Sequence, residues 1–260
     1  MEQTMHPNVR ALSRGLAILA ELNVGGPSSA QTLARKTGIN RTTAYRLLHT
    51  MIEDGFVTFD EPSGEFSSTP QVRQLSDGLS ARDAMSQAAL PAMFALMKEV
   101  SWPSDLAVFD SGSVIIRETT HPYSPFSVHR AMIGRRRPFL RSSLGRAILA
   151  AARPKVRRTM LEITAASGNA DAALAEDQAV INGLLEQFNR DGFAWSVGET
   201  EKNISAIALP IVGASGVIGS MNIIFFSTTM TPQKAAGRYL RNLQKAVASV
   251  ETELRRSIRR

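Results

Sequence analysis

Asn40, Arg41, Thr42, Thr43, Tyr45, Arg46 and His49 crowd hydrogen-bonding side chains into one short stretch of the chain. An arginine can pair with guanine, and a threonine can meet a thymine methyl or a phosphate. Together on one exposed helix face, such side chains read base edges in a major groove.

The elements that would hold them follow from the spacing. Ala44, Leu47, Leu48 and Met51 recur at i, i+3, i+4 and i+7, the stripe of an amphipathic helix. Thr42, Tyr45, Arg46 and His49 point away from that stripe, with Arg41 and Thr43 beside it. Asn40 suits the N-cap of this helix, and Gly38 sits where a tight turn needs positive φ. Upstream, Ser28 and Gln31 fit a capping box that starts a shorter helix with Ala30, Leu33 and Ala34 on its apolar face. Ser28, Ser29 and Gln31 at that start join the second helix as candidate DNA contacts. Leu12, Leu16, Ile18, Leu19 and Leu22 predict a first helix completing a three-helix core. After the second reader helix, FVTFDEPSGEFSST at 56–69 reads as two β-prone runs around a turn, a wing whose tip is Ser63 and Gly64. An ordinary helical hairpin also shows a polar face. The wing, and the absence of Asp and Glu between Leu22 and Ile52, favour a phosphate-facing surface.

Bulk charge adds little to this. The net charge is +7, yet residues 1–75 hold seven Lys/Arg and seven Asp/Glu. The basic surplus lies later, at 130–146 and at the C-terminus. At 260 residues and 43% hydrophobic, the chain can bury two cores. It has no cysteine, which excludes disulfides, thiolate metal sites and cysteine nucleophiles. No apolar run approaches the ~20 residues that span a bilayer, and no leader pattern opens the chain. A cytoplasmic protein without membrane contact is expected.

The pattern predicts a winged helix-turn-helix domain at 8–70, a linker helix at 71–84 and a second domain at 85–260. In the second domain Pro91 predicts a kink or a new helix start. Strands are expected at 105–110 and 114–120, helices at 144–152, 155–164 and 175–190, and strands at 193–197, 204–212 and 217–226. Thr231-Pro232 marks the start of a closing helix. The fold class is α+β with an antiparallel sheet.

The chain resembles the IclR-type transcriptional regulators over nearly its whole length. The likeness lies in SRGLAILAEL at 13–22, LARKTGINRTTAYRLL at 33–48, DGFV at 54–57, SSLGRAILA at 142–150, and Gly192, Ser196, Glu199 and Ala206-Ile207-Ala208. Val212 departs from the pattern, where an aromatic or histidine is usual. A likeness to the MhpR-type activators of aromatic-acid (hydroxyphenylpropionate) catabolism comes from Trp102-Pro103-Ser104-Asp105, RETTH at 117–121 and SVHRAMIGRRRP at 127–138. The resemblance implies a GAF/PAS-like effector-binding domain and DNA binding as a homodimer or homotetramer.

It also implies an effector pocket on one face of the sheet, under a loop. By position its residues are Pro125, Phe126 and His129 from the loop, Ser142, Ser143, Leu144 and Gly145 at a helix start, Ser196 and Ala206 from strands, and Asn222, Ile223 or Phe225 on the last strand. Relatives that bind small keto acids have glycine and alanine where this chain has Ser143 and Leu144. An acidic residue that some relatives carry at the Ser196 position is absent, which suits an anionic or phenolic ligand. A buried carboxylate needs cations or N–H donors. The helix start at Gly145-Arg146 and His129, Arg130, Arg135, Arg137 and Arg141 offer them, and Phe126 and Phe225 are placed to contact a ring. The triple arginine at 135–137 fits a solvated face or a subunit contact better than a ligand clamp.

Enzyme motifs are missing: there is no HExxH, Walker A loop or GxSxG elbow. Gly213-Ala214-Ser215-Gly216 reads as a hairpin turn. No cofactor is expected, and His121 with His129 leaves a metal site only as a minor alternative. The reading is a ligand-responsive regulator that binds a near-palindromic operator in double-stranded DNA. It would activate an aromatic-acid degradation operon through RNA polymerase, with an aromatic carboxylate as effector. The alternatives are a repressor answering another small organic acid, and a constitutive DNA-binding protein with a structural sensor domain.

Overall fold

The computed structural model describes residues 8–75, 84–127, 129 and 131–257. The chain divides into two compact units, Met1–Arg82 and Asp83–Arg260.

The first unit holds α1 (Arg10–Gly25), α2 (Ala30–Thr37), α3 (Arg41–Glu53), β1 (Val57–Asp60) and β2 (Glu65–Ser68). Gly38 closes α2 at φ 68°, in the left-handed region that a side chain would strain. Asn40 Oδ1 then accepts from the Thr42 N–H at 2.9 Å and starts α3. The α2 cap differs from expectation. Ser29, one residue on, accepts from the Thr32 N–H, while the Ser28 backbone pairs with Phe66 of the wing through two 3.0 Å bonds. Ser28 is drawn into the sheet bridge and so cannot serve as the cap. Ile18, Leu22, Leu33, Ala44, Leu48 and Phe66 make the core. Leu12 and Leu16 do not join it: they are 62% and 56% exposed, because α1 packs through its C-terminal half.

The expected linker helix opens as a 3-10 turn at Pro70–Arg73, capped by Thr69. Its continuation over 76–83 lies outside the described residues.

The second unit runs α4 (Ala84–Val100), β3 (Asp105–Asp110), β4 (Ser113–Thr119), β5 (Arg136–Pro138), α5 (Ser143–Ala151), α6 (Pro154–Ala166), α7 (Ala172–Glu176), α8 (Gln178–Asp191), β6 (Ala194–Val197), β7 (Ile204–Gly213), β8 (Gly216–Phe226) and α9 (Pro232–Ser257). Pro91 lies inside α4 rather than starting a new helix. The helix expected at 175–190 is two, because the Asp177 carboxylate caps Ala179 and Val180 and begins α8 afresh. Strand β5 escaped the sequence reading, since three residues reading Arg-Arg-Pro carry no alternation.

The six strands form one sheet in the order β5-β4-β3-β8-β7-β6, antiparallel throughout. Period-two alternation assigns its faces. Leu106, Ile207, Leu209, Met221 and Ile223 pack under α4 and α9. Small residues on the other face, Ala107, Ala194 and Ala208, let α5 lie close. Gly145 is required there, because a Cβ on it would stand 1.9 Å from the Phe139 carbonyl oxygen. Among the described residues no helix is long and apolar enough to cross a membrane.

Candidate functional site

Two surfaces carry the chemistry, one in each unit. On α3, Arg41, Thr42, Tyr45, Arg46 and His49 are exposed and Thr43 is half-buried. Tyr45 packs against the His49 ring at 4.6 Å with the planes tilted by 48° and meets Phe66 edge-on at 6.0 Å, so the wing strand steadies the reading face. The side chains of Arg35, Arg41 and Arg46 make no ion pair among the described residues, which leaves them available to phosphate or base. Lys36 is engaged, by Glu21 at 2.6 Å. Gln31 is exposed and Ser29 half-buried at the start of α2, whereas Ser28 is buried and turned to the wing. The wing tip is less suited to phosphate than expected. Gly64 makes the turn at φ 67°, but the Ser63 hydroxyl donates to Asp60, and Glu61 and Glu65 flank it.

In the second unit a polar cavity opens where α5 begins, on the sheet face that carries the alanines. Seven expected residues line it: His129, Ser142, Ser143, Leu144, Ser196, Ala206 and Asn222. The Ser142 hydroxyl caps α5 by accepting from Gly145, and the Ser143 N–H donates to Ser196 Oγ at 3.3 Å. Gly145 itself packs against the backbone of Phe139 and does not line the cavity. Ile223 is a correction of register: it faces α4 and α9, while Asn222 and Ile224 face the cavity. Phe126 and Phe225 border an adjoining small cavity with Trp102, and Phe126 lies 4.7 Å from the Trp102 ring.

Sequence reasoning left Asp105, His121, Thr200, Glu201, Ile204 and Ile224 out of the lining. Asp105 and His121 stand in the stretches that carried the family likeness, which was the available signal. Glu201 gave none, since its partners lie on the far side of the sheet.

The cavity is polarised. Arg137 Nη2 and His129 Nε2 hold the two oxygens of Glu201 at 2.8 and 2.7 Å. Burial pushes the Glu201 carboxyl up, but the Arg137 charge and the bond to His129 outweigh it, and its pKa is lowered. The pair therefore persists through the ordinary carboxylate range, and what it adds to stability is lost as pH falls through the lowered value. At the other pole, the buried Asp105 accepts from Thr119 Oγ1 at 2.6 Å and lies 3.7 Å from His121 Nε2. The Ser127 hydroxyl donates its one proton to the His129 carbonyl, so it accepts from His121 Nδ1 at 2.5 Å. That network places a proton on His121 Nδ1. Nε2 is buried with no hydrogen-bond partner among the described residues.

The arginines divide by task. Arg137 faces the cavity. Arg136 pairs with Asp110 at the surface, and Arg141 holds Asp171 at 3.1 Å. Arg135 Nε is buried without a partner among the described residues, and Arg130 lies outside them. Arg146 is structural, reaching the Leu140 and Trp195 carbonyls at 2.7 Å each and Glu199 at 2.5 Å. No group of three or more His, Asp or Glu side chains among the described residues is placed to hold a metal ion.

One polypeptide thus joins a winged helix-turn-helix unit to an α+β unit with a polar cavity, the build of a transcriptional regulator rather than an enzyme. The chain belongs to the IclR family: residues 79–252 match the bacterial transcriptional regulator IclR C-terminal family, and 11–61 match the IclR helix-turn-helix domain. The glycerol operon regulatory protein of Streptomyces coelicolor is 26% identical over 268 residues, covering 94% of this chain and 97% of that protein. The p-hydroxybenzoate hydroxylase transcriptional activator of Acinetobacter baylyi is 24% identical, covering 86% and 84%. Among solved structures, RHA06195 of Rhodococcus sp. RHA1 matches with a TM-score of 0.72 at 23% identity, over 96% of this chain and all of that one. An IclR homologue of Microbacterium hydrocarbonoxydans complexed with 4-hydroxybenzoate matches at 0.65 and 24%, over 94% and 99%.

Proposed function

We propose that this regulator answers a small aromatic carboxylate bearing a hydroxyl group, and that it activates an operon for aromatic-acid degradation. The polarity of the cavity carries the reading. Arg137 and His129 at one pole suit a carboxylate, which needs a cation when it leaves water. At the other pole the Asp105 carboxylate is an acceptor that suits a hydroxyl donor, and the buried, unpartnered His121 Nε2 stands beside it. Trp102 and Phe126 stand beside the cavity for ring contact. The 4-hydroxybenzoate bound by the Microbacterium homologue, and the p-hydroxybenzoate in the name of the Acinetobacter activator, are of this chemical class. The sign of regulation rests on the resemblance to aromatic-acid activators. A repressor answering a smaller organic acid is the second reading, favoured by a cavity of only about 40 Å³.

On the DNA side, α3 of two subunits enters successive major grooves of a near-palindromic operator. Val9, Leu12 and Leu16 lie at i, i+3 and i+7 and are 64%, 62% and 56% exposed, an apolar stripe that a second copy would cover. Leu12→Glu with Leu16→Glu is expected to lower operator affinity and shift sedimentation toward smaller species. An unchanged sedimentation profile would remove this stripe from the subunit contact. Arg46→Ala is expected to weaken specific binding by about 1–3 kcal/mol if Arg46 reads a base. Unchanged affinity in a folded variant would take Arg46 out of the interface.

The test of the whole reading is fluorescence anisotropy against the chain's own upstream DNA at fixed salt. It is run with and without 4-hydroxybenzoate, 3-(3-hydroxyphenyl)propanoate, cinnamate and benzoate. A ligand-dependent change in affinity or in transcription supports it. Specific binding with neither response to any of them removes the aromatic acid.

A further inference from the structure

We infer that Glu201 is a built-in substitute for the effector carboxylate, seated on Arg137 and His129 and displaced from them when the effector binds. The inference rests on the aromatic-carboxylate reading above and says how that site is regulated.

Three observations point to it. The first is occupancy: both Glu201 oxygens are taken, one by Arg137 and one by His129, two of the basic groups that line the cavity. While Glu201 holds Arg137 Nη2 and His129 Nε2, a second carboxylate can reach Arg137 only through its remaining N–H groups and cannot pair with both basic groups as Glu201 does. The second is space. The cavity of about 40 Å³ has room for a few waters but not for a benzene ring. Glu201 lines it and its side chain is 31% exposed, so rotating outward returns it to water while enlarging the cavity.

The third is topology. Arg137 lies on β5, and Glu201 lies in the β6–β7 turn; β5 and β6 are the two opposite edges of the sheet. Across a flat sheet of six strands these edges would stand roughly 24 Å apart, beyond the reach of an arginine and a glutamate. The sheet therefore curls and the β6–β7 turn reaches over its face, so the Arg137–Glu201 pair closes the cavity. Gly198, at φ 66°, and the Ile204 N–H bonded to the Glu201 carbonyl shape that turn.

Exchange of one carboxylate for another leaves the charge at Arg137 and His129 unchanged. The effector then meets no bare cation and strands none, which lowers the electrostatic cost of entry. The consequence is a raised threshold. Glu201 competes as an intramolecular ligand, so the apparent affinity is the intrinsic one reduced by the fraction of molecules with Glu201 swung out.

Isothermal titration of the full-length protein with 4-hydroxybenzoate and with 3-(3-hydroxyphenyl)propanoate tests this. The proteins compared are wild type, Glu201→Gln, Arg137→Gln and the double variant. Removing the competing charge is expected to tighten binding of one of these acids by about 10- to 100-fold. Arg137→Gln is expected to weaken it, and the gain from Glu201→Gln is expected to vanish in the Arg137→Gln background. Wild-type binding that is unaltered or weaker in Glu201→Gln overturns the inference and leaves the carboxylate site standing. A gain that persists without Arg137 overturns it too, because Glu201 would then be acting only as a loop brace. If neither wild type nor Glu201→Gln binds either acid, the inference fails together with the carboxylate site.

Discussion

Arg146→Ala is expected to destabilise the C-terminal unit by about 3–5 kcal/mol, because it leaves two backbone carbonyls without a donor at about 1–3 kcal/mol each, while the partly exposed Glu199 can return to water. The guanidinium is 8% exposed and ties three places together. It donates to Leu140 ahead of α5, to the Trp195 carbonyl of β6, and to Glu199 in the following turn. Alanine would leave two carbonyls without their donor and free the turn that carries Glu201. For a unit of this size the loss corresponds to a melting shift of roughly 10 °C. Arg146→Lys should rescue only part of it, since an ammonium cannot span a fork with three acceptors. Thermal melts followed by circular dichroism decide the matter. An alanine variant melting within about 2 °C of wild type would show that these bonds are replaced by water at little cost.

The same arginine shows where the sequence could be read and where it could not. SSLGRAILA matched the family pattern, and the helix start it implied is present, with Ser142 as the cap. Arg146 itself drew no role there, because sequence spacing does not show that β6 lies beside it. The reader helix was legible in detail because its signals are local: Gly38, Asn40 and the apolar stripe all act within one or two turns. Ser28 was misplaced by one residue because its backbone answers to Phe66, far along the chain. Leu12 and Leu16 matched a helical period, yet period alone does not tell a core from a face left for a partner. In the cavity, Ser143, Ser196, Ala206 and Asn222 came together as the resemblance implied. His129 and Arg137 were already candidates, but the pairings that give the cavity its two poles were found only by folding the sheet. His121 meets Asp105 across the β3–β4 pair, and Arg137 meets Glu201 from opposite edges. Long-range pairing of this kind has no period in the sequence.

The cavity and the reader helix belong to different units, which makes their functions separable by mutation. Ser143→Trp is expected to abolish the effector response while leaving effector-free operator binding intact. Ser143 is the first residue of α5, is 1% exposed and lines the cavity. An indole at this position is larger than the cavity of about 40 Å³, so it must push the lining outward and occupy the space that an effector ring would need. Extra methylenes in a packed site cost about 1–3 kcal/mol and an indole costs more, so the response is read on a variant whose melting curve shows a folded state. Allosteric coupling between effector and operator is typically about 5- to 150-fold in affinity, so its loss is readable by anisotropy with and without 4-hydroxybenzoate. A polymerase-recruiting activator can respond with little change in affinity, so in-vitro transcription from the operator promoter is read in parallel. Loss of both signals, with operator affinity unchanged, is the expected result. A folded Ser143→Trp variant that still responds would place the effector elsewhere and detach Arg137, His129 and Glu201 from effector control.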